Sequence, residues 1–169
     1  MQPEQLIEKL FQAAESGDSS SLQELVETQP EFANTENKDG LTLLGYAAHF
    51  GNADAVKVLL DHGADVNAIS HSTISFIPSN TALHAAIAGE RNLDVINLLL
   101  HNQADPNIRD SNDQTCLQVA AFHVDSIELI QILIDYGADV HAKSATGQTA
   151  LSIALEQGNE KVVALLKEY

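Results

Sequence analysis

Seven histidines, one cysteine and a recurring aspartate are the side chains of this 169-residue chain best suited to metal binding or catalysis. A helix that supplies two metal ligands needs them about one turn apart, as in H-x-x-x-H or H-x-E. His49, His62, His71, His84, His101, His123 and His141 contain no such pair, so no metal site is expected and they read as structural or surface residues. His62 and His101 fall at the ends of apolar helical runs, where the helix dipole favours positive charge. Cys116 is the sole cysteine, which rules out an internal disulfide and suits a small buried hydrophobe. Asp65, Asp105 and Asp139 resemble a carboxylate series, yet each stands at the same place in a repeated segment and belongs to a turn. No phosphate-cradling glycine loop or nucleophile elbow accompanies them. The chain therefore reads as no enzyme, with no catalytic residues and no cofactor.

Electrostatics narrows the partners. Eight Lys and Arg stand against 24 Asp and Glu, a formal charge of −16. Such a field repels phosphates and anionic headgroups, so neither nucleic acid nor a membrane is an expected partner, and it draws cationic partners inward. The same acidity also serves plain solubility. Aromatic residues make up 5% of the chain and Trp is absent, so the core must come from Ala, Leu, Ile and Val, which suits closely packed helices. The longest apolar runs, such as Leu98-Leu99-Leu100, fall far short of a membrane span. Met1-Gln2-Pro3-Glu4-Gln5-Leu6 lacks the basic start and apolar run of a signal peptide. A cytoplasmic monomer is the resulting expectation.

The elements that position these residues are set by an internal repeat. Four segments align on Thr, with Leu two residues later and Ala five residues later. They are Thr42-Leu43-Leu44-Gly45-Tyr46-Ala47, Thr81-Ala82-Leu83-His84-Ala85-Ala86, Thr115-Cys116-Leu117-Gln118-Val119-Ala120 and Thr149-Ala150-Leu151-Ser152-Ile153-Ala154. Downstream come Gly63-Ala64-Asp65-Val66-Asn67, Gln103-Ala104-Asp105-Pro106-Asn107 and Gly137-Ala138-Asp139-Val140-His141, each after a Val/Ile/Leu run. The Thr suits a helix N-cap, and Leu and Ala at helical spacing give a short first helix with a small-residue face. Gly51, Gly89 and Gly158 fall where that helix should stop in a left-handed step. The Val/Ile/Leu run is a second helix, and Leu44, Leu83, Leu117 and Leu151 should all turn inward.

These landmarks resemble the ankyrin repeat family, whose unit runs D-x-x-G-x-T-P-L-H-x-A, then A-x-x-G, V-x-x-L-L-L and G-A-D-x-N. The resemblance covers residues 36–169 and implies an all-α solenoid of about five helix-turn-helix units with hairpin-like loops. A single domain over 1–169 is expected: a capping unit at 1–35, internal repeats at 36–68, 69–108 and 109–142, and a C-terminal capping repeat at 143–169. By resemblance, His84 occupies the position whose ring usually hydrogen-bonds backbone between repeats. The family's Pro is replaced by Leu43, Ala82, Cys116 and Ala150, and each first helix loses a preset φ.

The departures bear on function. Six residues are added between Ala64 and Thr81, within Ser70–Asn80, where alternating polar and β-branched residues suggest a hairpin extension. Ile74, Phe76 and Ile77 there must pack back on the repeats or meet a partner. One further residue is added near Gly89–Asn92 and near His123–Asp125, which should alter only the turn between helices. The family's partners usually lie against loop tips and the exposed side of the first helices. Carried over by register, this surface includes Lys38, Leu41, Tyr46, His49 and Phe50, then Ile74 and Phe76, then Arg109, Asn112, Gln114, Phe122 and His123. The aromatic members are the expected anchors, with helix shielding the alternative role for Phe50 and Phe122. The implied function is a protein-protein interaction module. The alternative is an acidic inhibitor, of immunity-protein or antitoxin type, of a basic effector such as a nuclease.

Overall fold

Residues 2–169 are described by a computed structural model of the chain, and they form two compact units that divide after Ala104. The first contains α1 (Pro3–Ser16), α2 (Ser19–Thr28), a 3-10 turn (Pro30–Asn34), α3 (Leu43–His49), α4 (Ala53–Asp61), α5 (Ala82–Ala88) and α6 (Leu93–His101). The second contains α7 (Cys116–His123), α8 (Ile127–Asp135), α9 (Ala150–Gln157) and α10 (Glu160–Leu166). Among the described residues no strand forms, only an isolated antiparallel bridge between Glu36 and Thr42. The all-α, ankyrin-type arrangement expected from the repeat is the fold.

Each repeated Thr is an N-cap. The hydroxyls of Thr42, Thr81, Thr115 and Thr149 accept from the backbone N–H three residues on, at Gly45, His84, Gln118 and Ser152. These bonds satisfy donors that the first helical turn would leave bare. In the first unit α3 packs on α1 and α5, and α4 on α2 and α6; in the second α7 packs on α9 and α8 on α10. Buried alanines at 47, 48, 86, 120 and 121 keep the first helices close. Leu44, Leu83 and Leu117 are buried as expected, whereas Leu151 is half-buried.

Side-chain amides tie successive pairs together. Asn52 Nδ2 donates to the carbonyls of Ala14 and Glu15 at 2.6 and 2.9 Å, Asn92 Nδ2 to Gly51 at 2.9 Å, and Asn159 Nδ2 to Ala121 at 2.8 Å. Each of these asparagines starts a second helix and reaches the end of the preceding pair's first helix, so one side chain serves two units. A second ladder joins the loops, with Asn34 Nδ2 bonded to the Gly63 carbonyl at 2.9 Å and Asn107 Nδ2 to the Gly137 carbonyl at 2.8 Å. The recurring aspartates close turns, since Asp65, Asp105 and Asp139 each accept from the N–H two residues on.

Two expectations about the turns need correction. Gly51 and Gly158 are left-handed, both at φ 72°, but Gly89 is not, at φ −89°. The added residue moves the left-handed step to Arg91, φ 55°. Glycine is needed at 89 for a different reason: a Cβ there would lie 2.1 Å from the His49 carbonyl oxygen. The added residues also do more than reshape a turn. The Glu90 N–H donates to that His49 carbonyl at 2.9 Å, and Asp125 Oδ1 accepts from the N–H groups of Lys161 and Val162 at 2.9 and 3.1 Å. Both therefore join neighbouring repeats.

Candidate functional site

In the first unit the surface starts at the hairpin tip 37–41. Asn37 Oδ1 accepts from the N–H groups of Asp39 and Leu41, both at 3.0 Å, and Asn37 N–H donates to the Leu41 carbonyl at 3.0 Å. This Asx-type turn holds Lys38 out in water and leaves Leu41 half-buried.

The insertion at 70–80 lies against that tip. His71 N–H donates to the Gly40 carbonyl at 2.8 Å and Thr73 N–H to the Asp39 carbonyl at 2.9 Å. His71 Nδ1 is 2.8 Å from Glu36 Oε1. Gly40 has φ 75°, and a Cβ there would lie 2.0 Å from the His71 carbonyl oxygen, so no other residue fits without moving the insertion. The expected hairpin closes at its base, with Ser70 N–H donating to the Asn80 carbonyl at 2.9 Å. It forms no strand because serine hydroxyls replace a backbone ladder: Ser70 Oγ accepts from Asn80 N–H at 3.0 Å and Ser79 Oγ from Ser72 N–H at 3.1 Å. Such local side-chain bonds compete with sheet pairing. A turn joining Ile77 N–H to the Ile74 carbonyl at 3.0 Å forms the apex. Ile74 and Ile77 are half-buried, and Phe76 is 84% exposed. The insertion thus partly covers two of its three apolar residues and leaves the third in water.

Behind the tip an aromatic strip crosses from α1 to α3. Ring centroids are 5.1 Å apart for Phe11 and Tyr46, 5.1 Å for Tyr46 and Phe50, and 5.2 Å for His49 and Phe50. Edge-on and tilted pairs of this kind are favourable for aromatic quadrupoles. Phe11 is buried, Tyr46 and Phe50 are half-buried and His49 is exposed. The Tyr46 hydroxyl donates to Glu15 Oε2 at 3.3 Å. Burial first, then the charge and hydrogen bond of Glu15 and the more distant Asp39, raise the Tyr46 hydroxyl above the ordinary tyrosine range. All of these act in one direction, because an ionised phenol would be poorly hydrated and faced by carboxylates.

In the second unit the corresponding tip is built by Asp110, whose Oδ1 accepts from the N–H groups of Asn112 and Gln114, both at 2.9 Å. Arg109 Nη1 donates to the Asp113 carbonyl at 3.0 Å and lies 3.4 Å from its carboxylate. Asn112 is exposed and Gln114 half-buried. Phe122, 48% exposed, stands edge-on to the exposed His123, with centroids 5.1 Å apart.

The histidine position reads differently in each unit. His84 is buried, with Nδ1 2.8 Å from Thr81 Oγ1. Gln118 fills the same place in α7, where Nε2 donates to the carbonyls of Ala142 and Gln148 at 3.0 and 2.9 Å. Sequence reasoning overlooked this role, along with those of Phe11, Glu15 and the three bridging asparagines. Phe11 and Glu15 could have been paired by their i, i+4 spacing on α1, and the asparagines by their recurrence just before three of the second helices, α4, α6 and α10.

A cleft of about 520 Å³ between α1 and α2 is lined by Lys9, Gln12, Ser16 and Asp18 among others. Two carboxylates line it, Glu24 and Asp18, and Asp18 caps α2, accepting from the Ser21 hydroxyl at 2.6 Å and the Ser21 N–H at 3.1 Å, which hold its pKa below the usual aspartate value. Among the described residues no three metal-ligating side chains gather, and no helix is long and apolar enough to cross a membrane.

The family profile described as "Ankyrin repeats (3 copies)" matches residues 10–110 and 83–169. The chain is 37% identical over 101 residues to the ankyrin repeat, SAM and basic leucine zipper domain-containing protein 1 of Saimiri boliviensis boliviensis, covering 60% of this chain and 20% of that protein. It is 36% identical over 108 residues to the neurogenic locus Notch protein of Drosophila melanogaster, covering 63% of this chain and 4% of that one. A third relative, the putative ankyrin repeat protein FPV014 of Fowlpox virus, is 32% identical over 113 residues, covering 66% of this chain and 24% of that protein. The chain thus spans a quarter or less of the length of these relatives. With Thr caps on α3, α5, α7 and α9, and asparagines bridging successive loops, the chain belongs to the ankyrin repeat family.

Proposed function

We propose that this chain binds a protein partner through its loop tips and the exposed side of its first helices, with Phe76 and Phe122 as apolar anchors. Ankyrin repeats are generally protein-protein interaction modules, and the chemistry of this surface suits that role. The observation that carries the reading is the inserted loop. Backbone hydrogen bonds tie it to the neighbouring hairpin and serine hydroxyls brace it internally, yet it holds a phenylalanine 84% exposed. An ordered loop that keeps a large apolar ring in water forgoes a burial worth roughly 1.5–3 kcal/mol. A partner that covers the ring recovers that energy without having to order the loop first. Lys38, Leu41, Tyr46, His49, Phe50 and Ile74 complete the contact surface of the first unit, and Arg109, Asn112, Gln114 and His123 that of the second.

The second reading, an acidic inhibitor of a basic effector, is favoured by one observation. Twenty-four carboxylates face eight Lys and Arg, so most of the acidic surface lacks a one-to-one counter-charge within the chain. A cytoplasmic setting and a monomeric state accompany both readings.

Affinity capture from native lysate at low and high salt, read by mass spectrometry, tests the proposal when wild type is run beside Phe76→Ala and Phe122→Ala. Because both rings are exposed, melting should stay within about 0.5 kcal/mol of wild type. A protein held by wild type and released by either variant supports the surface. One held equally by all three rejects it. Association that slows steeply with salt favours the inhibitor reading, and a salt-insensitive on-rate counts against it.

A further inference from the structure

Apolar and acidic surfaces meet at Tyr46. On one side the ring adjoins Phe11 and Phe50, forming a strip that continues to the exposed His49. On the other its hydroxyl reaches Glu15 Oε2 at 3.3 Å, and the field of Asp39 arrives from the adjacent hairpin tip. That tip is held in place by the insertion, through Thr73 N–H on the Asp39 carbonyl at 2.9 Å. The first helix pair thus meets this half-buried tyrosine directly, and the insertion fixes the hairpin tip that carries Asp39.

The arrangement matches one kind of ligand group. A carboxylate accepts at about four lone-pair positions, so a single long bond from Tyr46 leaves Glu15 able to receive an ammonium or a forked guanidinium. Lysine and arginine also carry methylene stems that pack along apolar surface while the charged head stays at its edge. Aromatic faces add cation–π attraction. The surrounding charge favours the same ligand, since the chain through Ala104 contains 14 Asp and Glu against four Lys and Arg. We propose that the Tyr46–Phe50 strip, flanked by Glu15 and Asp39, binds a lysine or arginine side chain from an extended basic segment of the partner. The charged head sits at the Glu15 carboxylate and the stem lies across the rings. This rests on the interaction-module reading and gives that surface a partner chemistry.

The experiment uses the full chain and a defined probe: an acetylated, amidated Gly/Ser peptide carrying two arginines, with a control peptide in which both are citrulline, the same shape without charge. Binding is followed by amide chemical-shift titration at low salt. Shifts should centre on residues 15, 39 and 46–50 and vanish with the citrulline peptide. Glu15→Gln with Asp39→Asn should weaken binding about fivefold or more. Glu24→Gln with Glu27→Gln removes the same charge from exposed positions on α2 and should change it less than about twofold. Equal weakening by both double variants, or shifts spread over the whole acidic surface, would mean that only the bulk field attracts the peptide, and would overturn the proposal. Retained binding of the citrulline peptide would overturn it as well. If the two double variants behave alike while Phe76→Ala still releases a captured protein, the interaction module stands and the basic-segment assignment falls.

Discussion

Along α1 the exposed side chains include Glu4, Gln5, Glu8, Lys9, Gln12 and Glu15, and its apolar residues are buried or half-buried. Along α9 the exposed set includes Leu155, at 54%, and the neighbouring helix α10 adds Ala164 with half-buried Val163 and Leu165. Leu155 follows its capping Thr149 by the same interval that separates Ala48, Ile87 and Ala121 from theirs, and those three are buried. In the second unit the reason is visible: α9 packs on α7, and Asn159 bonds the Ala121 carbonyl. Among the described residues no further helix pair packs against the outer side of α9. Terminal repeats need a polar outer face. The first pair has one, whereas the last retains the residue types of an internal repeat. The contrast teaches that the two pairs share a fold but differ in what their outer surfaces ask of the solvent.

The comparison can be broken most decisively by equal truncations. Leu10→Ala empties a fully buried site and should cost about 2–5 kcal/mol in urea unfolding. Leu155→Ala should stay within about 0.5 kcal/mol of wild type; a loss similar to that of Leu10→Ala would show that Leu155 is packed after all. Transplanting the terminal residue inward is the next test. Ala121→Leu overfills the α7–α9 contact and should cost about 1–3 kcal/mol by the same measurement, although leucine is the native residue one repeat later.

A smaller effect is expected where the repeats differ in backbone. Gln103 is left-handed at φ 69°, in the place that Gly63 and Gly137 occupy elsewhere. Gln103→Gly should raise the unfolding free energy by about 1 kcal/mol, because glycine carries no Cβ penalty there. A decrease would show that the Gln side chain contributes more than its strain costs.

The mildest test is of pH and returns to the first pair. Asp18 has a folded pKa below its unfolded value. Its capping contribution is therefore present above the unfolded aspartate pKa and is lost as pH falls through the folded one. Asp18→Asn should make the first pair's stability less dependent on pH in that acidic window. An unchanged acid limb in a pH series of melts would remove Asp18 as a contributor.

Much of the fold was legible because its determinants are local. A Thr cap, Leu and Ala at helical spacing and a following Val/Ile/Leu run each act within one or two helical turns. The length of the insertion at 70–80 was legible as well, but its course was not. The carbonyls that hold it belong to Asp39 and Gly40, more than thirty residues earlier, and its serines replace a ladder that alternation alone would suggest. Gly89 was placed correctly at a helix end for the wrong reason, since the requirement comes from the His49 carbonyl in another repeat. The aromatic residues of α3 could be named, but not the Phe11 and Glu15 that meet Tyr46 from α1.

The order of residues along the chain determined the helix pairs, the repeat register, the acidity and the candidate surface, since these follow from composition and from interactions spanning a few residues. Which apolar side chains stay in water, which carbonyl each bridging asparagine reaches and which carboxylates approach Tyr46 were decided only by tertiary structure. Those outcomes depend on distances between segments far apart in sequence, and no local pattern encodes them.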